Sequence, residues 1–119
     1  MNKRELGKNY EERAVHLAVE AGYNILAKNY HARVGEIDIV AEKNGMIVFI
    51  EVKYRKDETH GYGSESIDRK KLRRLYQAAR KYLSLNGLEE RVVRFDMIIF
   101  TGEQYFWDEN ILWGDEIWN

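Results

Sequence analysis

The stretch of sequence that decides the fold is residues 35–54, which read GEIDIVAEKNGMIVFIEVKY. Two runs rich in β-branched residues flank Asn44-Gly45, and Asn-Gly between such runs is the strongest short-range signal for a two-residue hairpin turn. The sequence therefore predicts two antiparallel strands, residues 35–42 and 46–54, joined through Lys43, Asn44 and Gly45.

The predicted turn also fixes which side chains face one another across the hairpin. Counting outward from the turn places Asp38 opposite Glu51. The same count places Glu36 opposite Lys53. Because side chains alternate along a strand, all four share one face. The other face is predicted to carry Ile37, Ile39, Ile50 and Val52.

The rest of the chain adds helices and further strands on both sides of the hairpin. Apolar residues recur at helical spacing over residues 3–21 and 66–86, and each run ends at a glycine signal. The remaining segments read as strands at 24–30, 92–101 and 104–107 and a loop at 55–63. The order α-β-β-β-α-β, with one further short strand, predicts an α/β protein in which helices flank a sheet.

Composition narrows the classes of protein to which the chain can belong. Its 119 residues, 45% hydrophobic and 33% charged, are typical of one soluble domain spanning residues 1–119. The chain has no cysteine, which excludes disulfides, thiolate zinc sites and cysteine nucleophiles. A charged amino terminus and the lack of a long apolar run predict a cytoplasmic protein with no membrane span.

Asp38 and Glu51, called the acid pair below, should repel each other across the strands, because a sheet centre screens charge poorly. Three arrangements would relieve the repulsion: one acid is protonated, Lys53 neutralises the pair, or a cation binds between the acids. Carboxylate oxygens suit Mg²⁺ or Mn²⁺, which would polarise a phosphoryl oxygen and activate a water. The simpler alternative is a solvated sheet face on which Glu36 and Lys53 form an ordinary ion pair.

The hairpin also resembles a known family. GEIDIV at residues 35–40 and FIEVKYR at residues 49–55 look like the signature of the YraN family of uncharacterised proteins, which belongs to the PD-(D/E)xK nuclease superfamily. Within that superfamily its nearest relatives are the archaeal Holliday junction resolvases. Further segments resemble the family at residues 7–14, Lys71, residues 78–83 and residues 94–96, whereas the tail after Gly102 has no clear counterpart.

The resemblance implies a restriction-endonuclease-like αβββαβ core with a central mixed sheet flanked by helices. It implies that Asp38 and Glu51 are catalytic acids and metal ligands. Glu11 in the first helix would be the third acid of the site, and Lys53 the catalytic lysine. One departure is Tyr10, which stands where the family commonly has a second glycine.

Basic residues predict a surface for nucleic acid, although the net charge is only −1. Residues 69–81 carry seven Lys or Arg and no acid, and one face of the second helix could follow a phosphate backbone. The residues predicted to contact nucleic acid are Arg55, Lys56, Lys70, Lys71, Arg73 and Arg74. Lys71 lies off the basic face and is predicted to point toward the hairpin site. The alternative for each residue is a solvated helix face.

These observations lead to two main hypotheses. The first is a Mg²⁺- or Mn²⁺-dependent endonuclease that hydrolyses phosphodiesters of structured or branched DNA, which as a small domain would need a homodimer to cut two opposed strands. The second is a catalytically silent nucleic-acid-binding module that recruits a helicase or DNA-repair partner. A third and remoter hypothesis is a structural domain with an ion-paired hairpin. The tryptophans at 107, 113 and 118 lie in an acidic tail and predict a segment folded onto the core or a dimer contact.

Overall fold

The computed structural model describes residues 2–56 and 69–111. Its elements, in chain order, are α1 Lys3–Glu20, β1 Asn24–Ala32, β2 Gly35–Lys43, β3 Met46–Arg55, α2 Arg69–Leu85, β4 Val93–Thr101 and β5 Gln104–Asp108. The predicted helices and strands are thus confirmed within a few residues. The predicted start of the second helix and most of the predicted loop lie outside the described residues.

The five strands form one mixed sheet in the order β1-β2-β3-β4-β5. Neighbouring strands are antiparallel except β3 and β4, which are parallel. The parallel pair is joined by a crossover that contains α2, whereas short turns join the antiparallel pairs. The two helices pack on opposite faces of the sheet. This arrangement confirms the predicted α/β class and is consistent with a restriction-endonuclease-like core.

The hairpin turn forms as the sequence predicts. Asn44 and Gly45 both have positive φ, 53° and 83°, as a type I′ turn requires. Lys43 therefore pairs with Met46, and the ladder continues outward to Ile39 and Ile50. The predicted register is correct over these five pairs.

Each face of the sheet has its own apolar core. On one face, Ala14 and Ala18 of α1 pack with residues that include Val48, Ile50 and Phe100. On the other face, α2 contributes Leu75, Ala78, Ala79 and Tyr82, which pack with Ile37, Val40 and Phe49. The fully buried alanines let both helices lie close to the sheet.

The prediction that Ile37 and Ile39 share a face is wrong. Ile39 packs on the α1 face, whereas Ile37 packs on the α2 face. Between these two residues, Asn29 and Asp38 do not form a pair in the β1–β2 ladder. Asn29 has a left-handed φ of 51°. Strand alternation requires continuous extended backbone, and it does not hold between Ile37 and Ile39.

A buried carboxylate joins the last described strand to the rest of the sheet. Asp96 is fully buried and accepts hydrogen bonds from Arg94 (2.8 and 2.7 Å), from Trp107 Nε1 (2.8 Å) and from the Asn110 amide (3.0 Å). Trp107 also packs on Tyr23, with ring centroids 5.6 Å apart. Trp107 therefore folds onto the core, as predicted; positions 113 and 118 lie outside the described residues.

In the described part of the chain, neither helix is long and apolar enough to cross a membrane.

Candidate active site

The acid pair lies where the β2–β3 ladder ends. The last pair of the ladder is Ile39 with Ile50, and Asp38 and Glu51 are the next residues outward. Asp38 Oδ2 accepts a hydrogen bond of 2.8 Å from the Val52 amide. Just beyond the end of the ladder, this carboxylate therefore takes the place of a backbone carbonyl as the acceptor for Val52. The two acids interact directly, as the turn count predicts. The hairpin therefore places them at its open end.

The environment of Glu51 disfavours a negative charge. Its side chain is only 13% exposed. Burial, then the charge of Asp38 and the hydrogen bond with Asp38, raise the pKa of Glu51 from 4.5 to about 8, against the opposing effect of Lys71. Burial and the neighbouring carboxylate therefore favour the protonated form of Glu51.

Lys71 reaches the acid pair from α2. Its Nζ lies 3.8 Å from Glu51 Oε1, and 61% of the Lys71 side chain is exposed. The prediction that Lys71 points toward the site is thus confirmed.

Glu11 approaches the site from the opposite helix. Tyr10 stacks on Tyr54 of β3, with ring centroids 4.6 Å apart, which holds α1 over the end of that strand. The neighbouring Glu11 is partly buried, and burial and the charge of Asp38 raise its pKa. Within residues 2–56 and 69–111, however, no three His, Asp or Glu side chains converge closely enough to hold a metal ion by themselves. The structure thus gives a close pair of acids with a third acid nearby.

The predicted opposition of Glu36 and Lys53 does not form as part of the ladder, which ends at Ile39 and Ile50. Glu36 is 70% exposed and is paired with His31 of β1, whose Nδ1 lies 3.6 Å from its carboxylate. Lys53 is partly buried and lies two residues beyond Glu51 on β3, and therefore on the same face of that strand.

A cavity of about 450 Å³ opens beside the acid pair, and we call it the charged cavity. Its lining residues are Gly35, Glu36, Asp38 and Glu51 from the hairpin and Lys70, Lys71, Arg74 and Leu75 from α2. One wall is therefore acidic and the other basic. The walls approach closely at Gly35, where a Cβ atom would lie 2.6 Å from the Arg74 carbonyl oxygen.

The other predicted nucleic-acid contacts differ in accessibility. Arg73 on α2 and Lys56 after β3 are exposed. Arg55 is buried, with 8% exposure, because it ends β3 inside the sheet. Its predicted role as a phosphate contact stays a prediction.

Asn29 is a site residue that sequence reasoning missed. Its side chain interacts with Glu11 and lowers the pKa of that acid. The available signal was the residue type itself, because asparagine adopts left-handed backbone more readily than most residues.

The mixed five-stranded sheet, the two covering helices and the acids at the hairpin end define an α/β protein of restriction-endonuclease-like architecture. The chain belongs to UPF0102, an uncharacterised protein family whose model matches residues 10–100, and this confirms the family predicted from the hairpin motif. The match to the family model ends before β5, but a relative from Fusobacterium nucleatum aligns with 117 of the 119 residues, so the expectation that the tail after Gly102 has no family counterpart is wrong.

Relatives resemble the chain over nearly its whole length. A UPF0102 protein of Fusobacterium nucleatum is 44% identical over 117 residues, which are 98% of each chain. One from Sulfurihydrogenibium sp. is 42% identical over 110 residues, 92% of this chain and 96% of the relative. One from Lachnoclostridium phytofermentans is 45% identical over 105 residues, 87% and 89% of the two chains. These names assign the family and no activity.

Proposed function

We propose that this protein is a Mg²⁺- or Mn²⁺-dependent endonuclease that hydrolyses phosphodiesters in structured or branched DNA. The observation that carries the proposal is the acid pair in the charged cavity, with its carboxylates facing the lysines and arginine of α2. A cationic wall suits a phosphate, and two adjacent carboxylates suit a hard divalent cation.

The residues present fit such an ion. Mg²⁺ commonly binds through one or two carboxylates and fills its remaining positions with water and substrate phosphate oxygens. Asp38 and Glu51 would be the ligands, and Glu11 lies close enough for the charge of Asp38 to raise the pKa of Glu11. When bound, the metal ion supplies positive charge that polarises the phosphoryl oxygen and lowers the pKa of a water.

The chain's own residues would supply binding and charge compensation. Lys70 and Arg74 line the charged cavity, and Arg73 lies on the exposed side of the same helix, so the three together would hold the phosphate backbone. Lys53 would offset the negative charge that builds on the phosphoryl oxygens as water attacks phosphorus and the ester P–O bond breaks. The resemblance to PD-(D/E)xK nucleases supports this division of roles.

A cleavage panel tests the proposal. Single-stranded, duplex, flap and four-way DNA are incubated with Mn²⁺ and the wild-type chain, Asp38→Ala or Glu42→Ala. Glu42 is a matched control, because it lies on the same strand but pairs with Arg91 at the turn end. We expect cleavage by the wild type and Glu42→Ala and none by Asp38→Ala. Cleavage that survives Asp38→Ala, or no cleavage of any substrate, contradicts the proposal.

A second candidate is a nucleic-acid-binding module without turnover that recruits a helicase or repair partner. The observation in its favour is that the described acids do not form a three-carboxylate metal cage. Calorimetry separates the two functions: a protein that binds DNA with strong salt dependence but takes up no Mn²⁺ is the binding module.

Sizing by light scattering tests whether a homodimer presents two sites to branched DNA.

A further inference from the structure

Lys71 of α2 contacts the acid pair. Its ammonium group lies 3.8 Å from the largely buried Glu51 carboxylate, while most of its own side chain is exposed. It shares the wall of the charged cavity with Lys70 and Arg74. Lys71 therefore lies beside both the acid pair and the basic residues that a phosphate would contact.

A divalent cation on the acid pair would compete with Lys71 for the same carboxylate. The ion would bring two positive charges to within a few ångströms of the ammonium group, and like charges at that distance repel in a poorly screened cavity. Lys71 has the flexible side chain and the exposure to move away from Glu51. Its new position would still lie beside Lys70 and Arg74, where it adds a positive charge to the basic wall.

We propose that Lys71 links metal binding to nucleic-acid binding. Without metal, the Lys71 ammonium group compensates the charge of the acid pair. When a divalent cation binds the acid pair in place of Lys71, the lysine contacts a phosphate of the bound nucleic acid. The inference rests on the proposed function and extends it to regulation of the same site. Because linkage is reciprocal, metal and nucleic acid then raise each other's affinity.

The salt dependence of DNA binding tests this directly. Binding of the full chain to a labelled four-way junction is measured by anisotropy over a series of KCl concentrations, in EDTA and at saturating Mn²⁺. Gel analysis verifies intact DNA, and Ca²⁺ replaces Mn²⁺ if the DNA is cut. One added phosphate contact steepens the slope of log affinity against log salt by about 0.9. We expect this increment with metal, and affinity at least about fivefold tighter.

Lys71→Ala and Lys71→Gln are the test variants, and Lys70→Ala is the matched control, since it removes the same charge from the same cavity wall. Both Lys71 variants should bind DNA with the same slope in EDTA and in metal, whereas Lys70→Ala should retain the metal-induced increment. Circular dichroism verifies that all three are folded.

Each other outcome overturns the inference. If the wild type binds Mn²⁺ in calorimetry but neither its DNA affinity nor the salt dependence of that affinity changes with metal, the protein has a metal site that is not coupled to nucleic-acid binding. If the Lys71 variants keep the increment, another residue supplies the contact. If calorimetry shows no Mn²⁺ binding by the wild type, both the proposed function and this inference are wrong.

Discussion

Glu51→Gln should stabilise the metal-free protein at neutral pH. Glutamine keeps the shape of the side chain and its capacity to hydrogen bond with Asp38, but it removes the carboxylate that burial and Asp38 make costly to ionise. Since the side chain is only 13% exposed, water relieves little of that cost. The substitution therefore isolates the electrostatic penalty of the acid pair.

The size of the effect follows from the pKa of Glu51, which rises from 4.5 to about 8 on folding. The native state binds this proton more tightly than the unfolded chain does, so the wild type loses stability as pH rises from 4.5 to 8. At about 1.4 kcal/mol per tenfold change, the loss reaches up to about 3 kcal/mol at pH 7 and 4–5 kcal/mol above pH 8. For 119 residues, 3 kcal/mol corresponds to a Tm difference of roughly 10 °C.

Urea and thermal unfolding in EDTA at pH 5, 6, 7 and 8 measure the difference between Glu51→Gln and the wild type. The advantage of the variant should grow steadily across this range. Glu36→Gln is the control, because it neutralises an acid on the same hairpin that is 70% exposed and should change stability little at any pH. A difference for Glu51→Gln that is constant with pH, or a loss of stability at pH 8, would refute the reasoning.

Three further substitutions test a buried network, the wall of the charged cavity and the first helix. Asp96→Asn should cost about 3 kcal/mol in urea unfolding, since it leaves the Arg94 guanidinium without its buried charged partner; a loss below 1 kcal/mol would show that the network contributes little. Gly35→Ala should lower the free energy of unfolding by about 1–3 kcal/mol, because the new methyl group meets the Arg74 carbonyl oxygen at 2.6 Å. Gly7→Ala in α1 should raise it by about 0.5–1 kcal/mol, because the methyl group meets nothing within 4 Å and alanine favours helix. Equal effects of the two alanines in one thermal-melt series would contradict the assigned contacts.

The turn chemistry explains why the hairpin could be predicted from sequence. Asn44-Gly45 sets the register by local backbone preference alone, and that register brings Asp38 and Glu51 to adjacent positions. The prediction of which side chains share a face is less accurate where the backbone departs from regular strand geometry. Asn29 and Asp38 interrupt the β1–β2 ladder, and no pattern in the sequence showed that Ile37 would then face α2.

Contacts between distant elements were harder to foresee. Helical periodicity indicated that Lys71 lies at the edge of the buried stripe, but the 3.8 Å approach to Glu51 depends on how α2 sits on the sheet. Asp96 reads as an ordinary polar residue in an apolar strand. Its partners Trp107 and Asn110 come from the tail after Gly102, and only the fold of β5 brings them to it.

The β2–β3 ladder ends at Ile39 and Ile50, but the two strands remain linked just beyond it. The Val52 amide donates a hydrogen bond to Asp38 Oδ2, β1 stays paired with β2 as far as Gly35, and β4 stays paired with β3 as far as Arg55. A change in the separation of the two carboxylates would therefore disturb at least one of these contacts. Mg²⁺ and Ca²⁺ differ in oxygen distance by about 0.2–0.5 Å. If the acid pair binds a divalent cation, as we propose, we expect this held separation to make the site discriminate between ions of different radius.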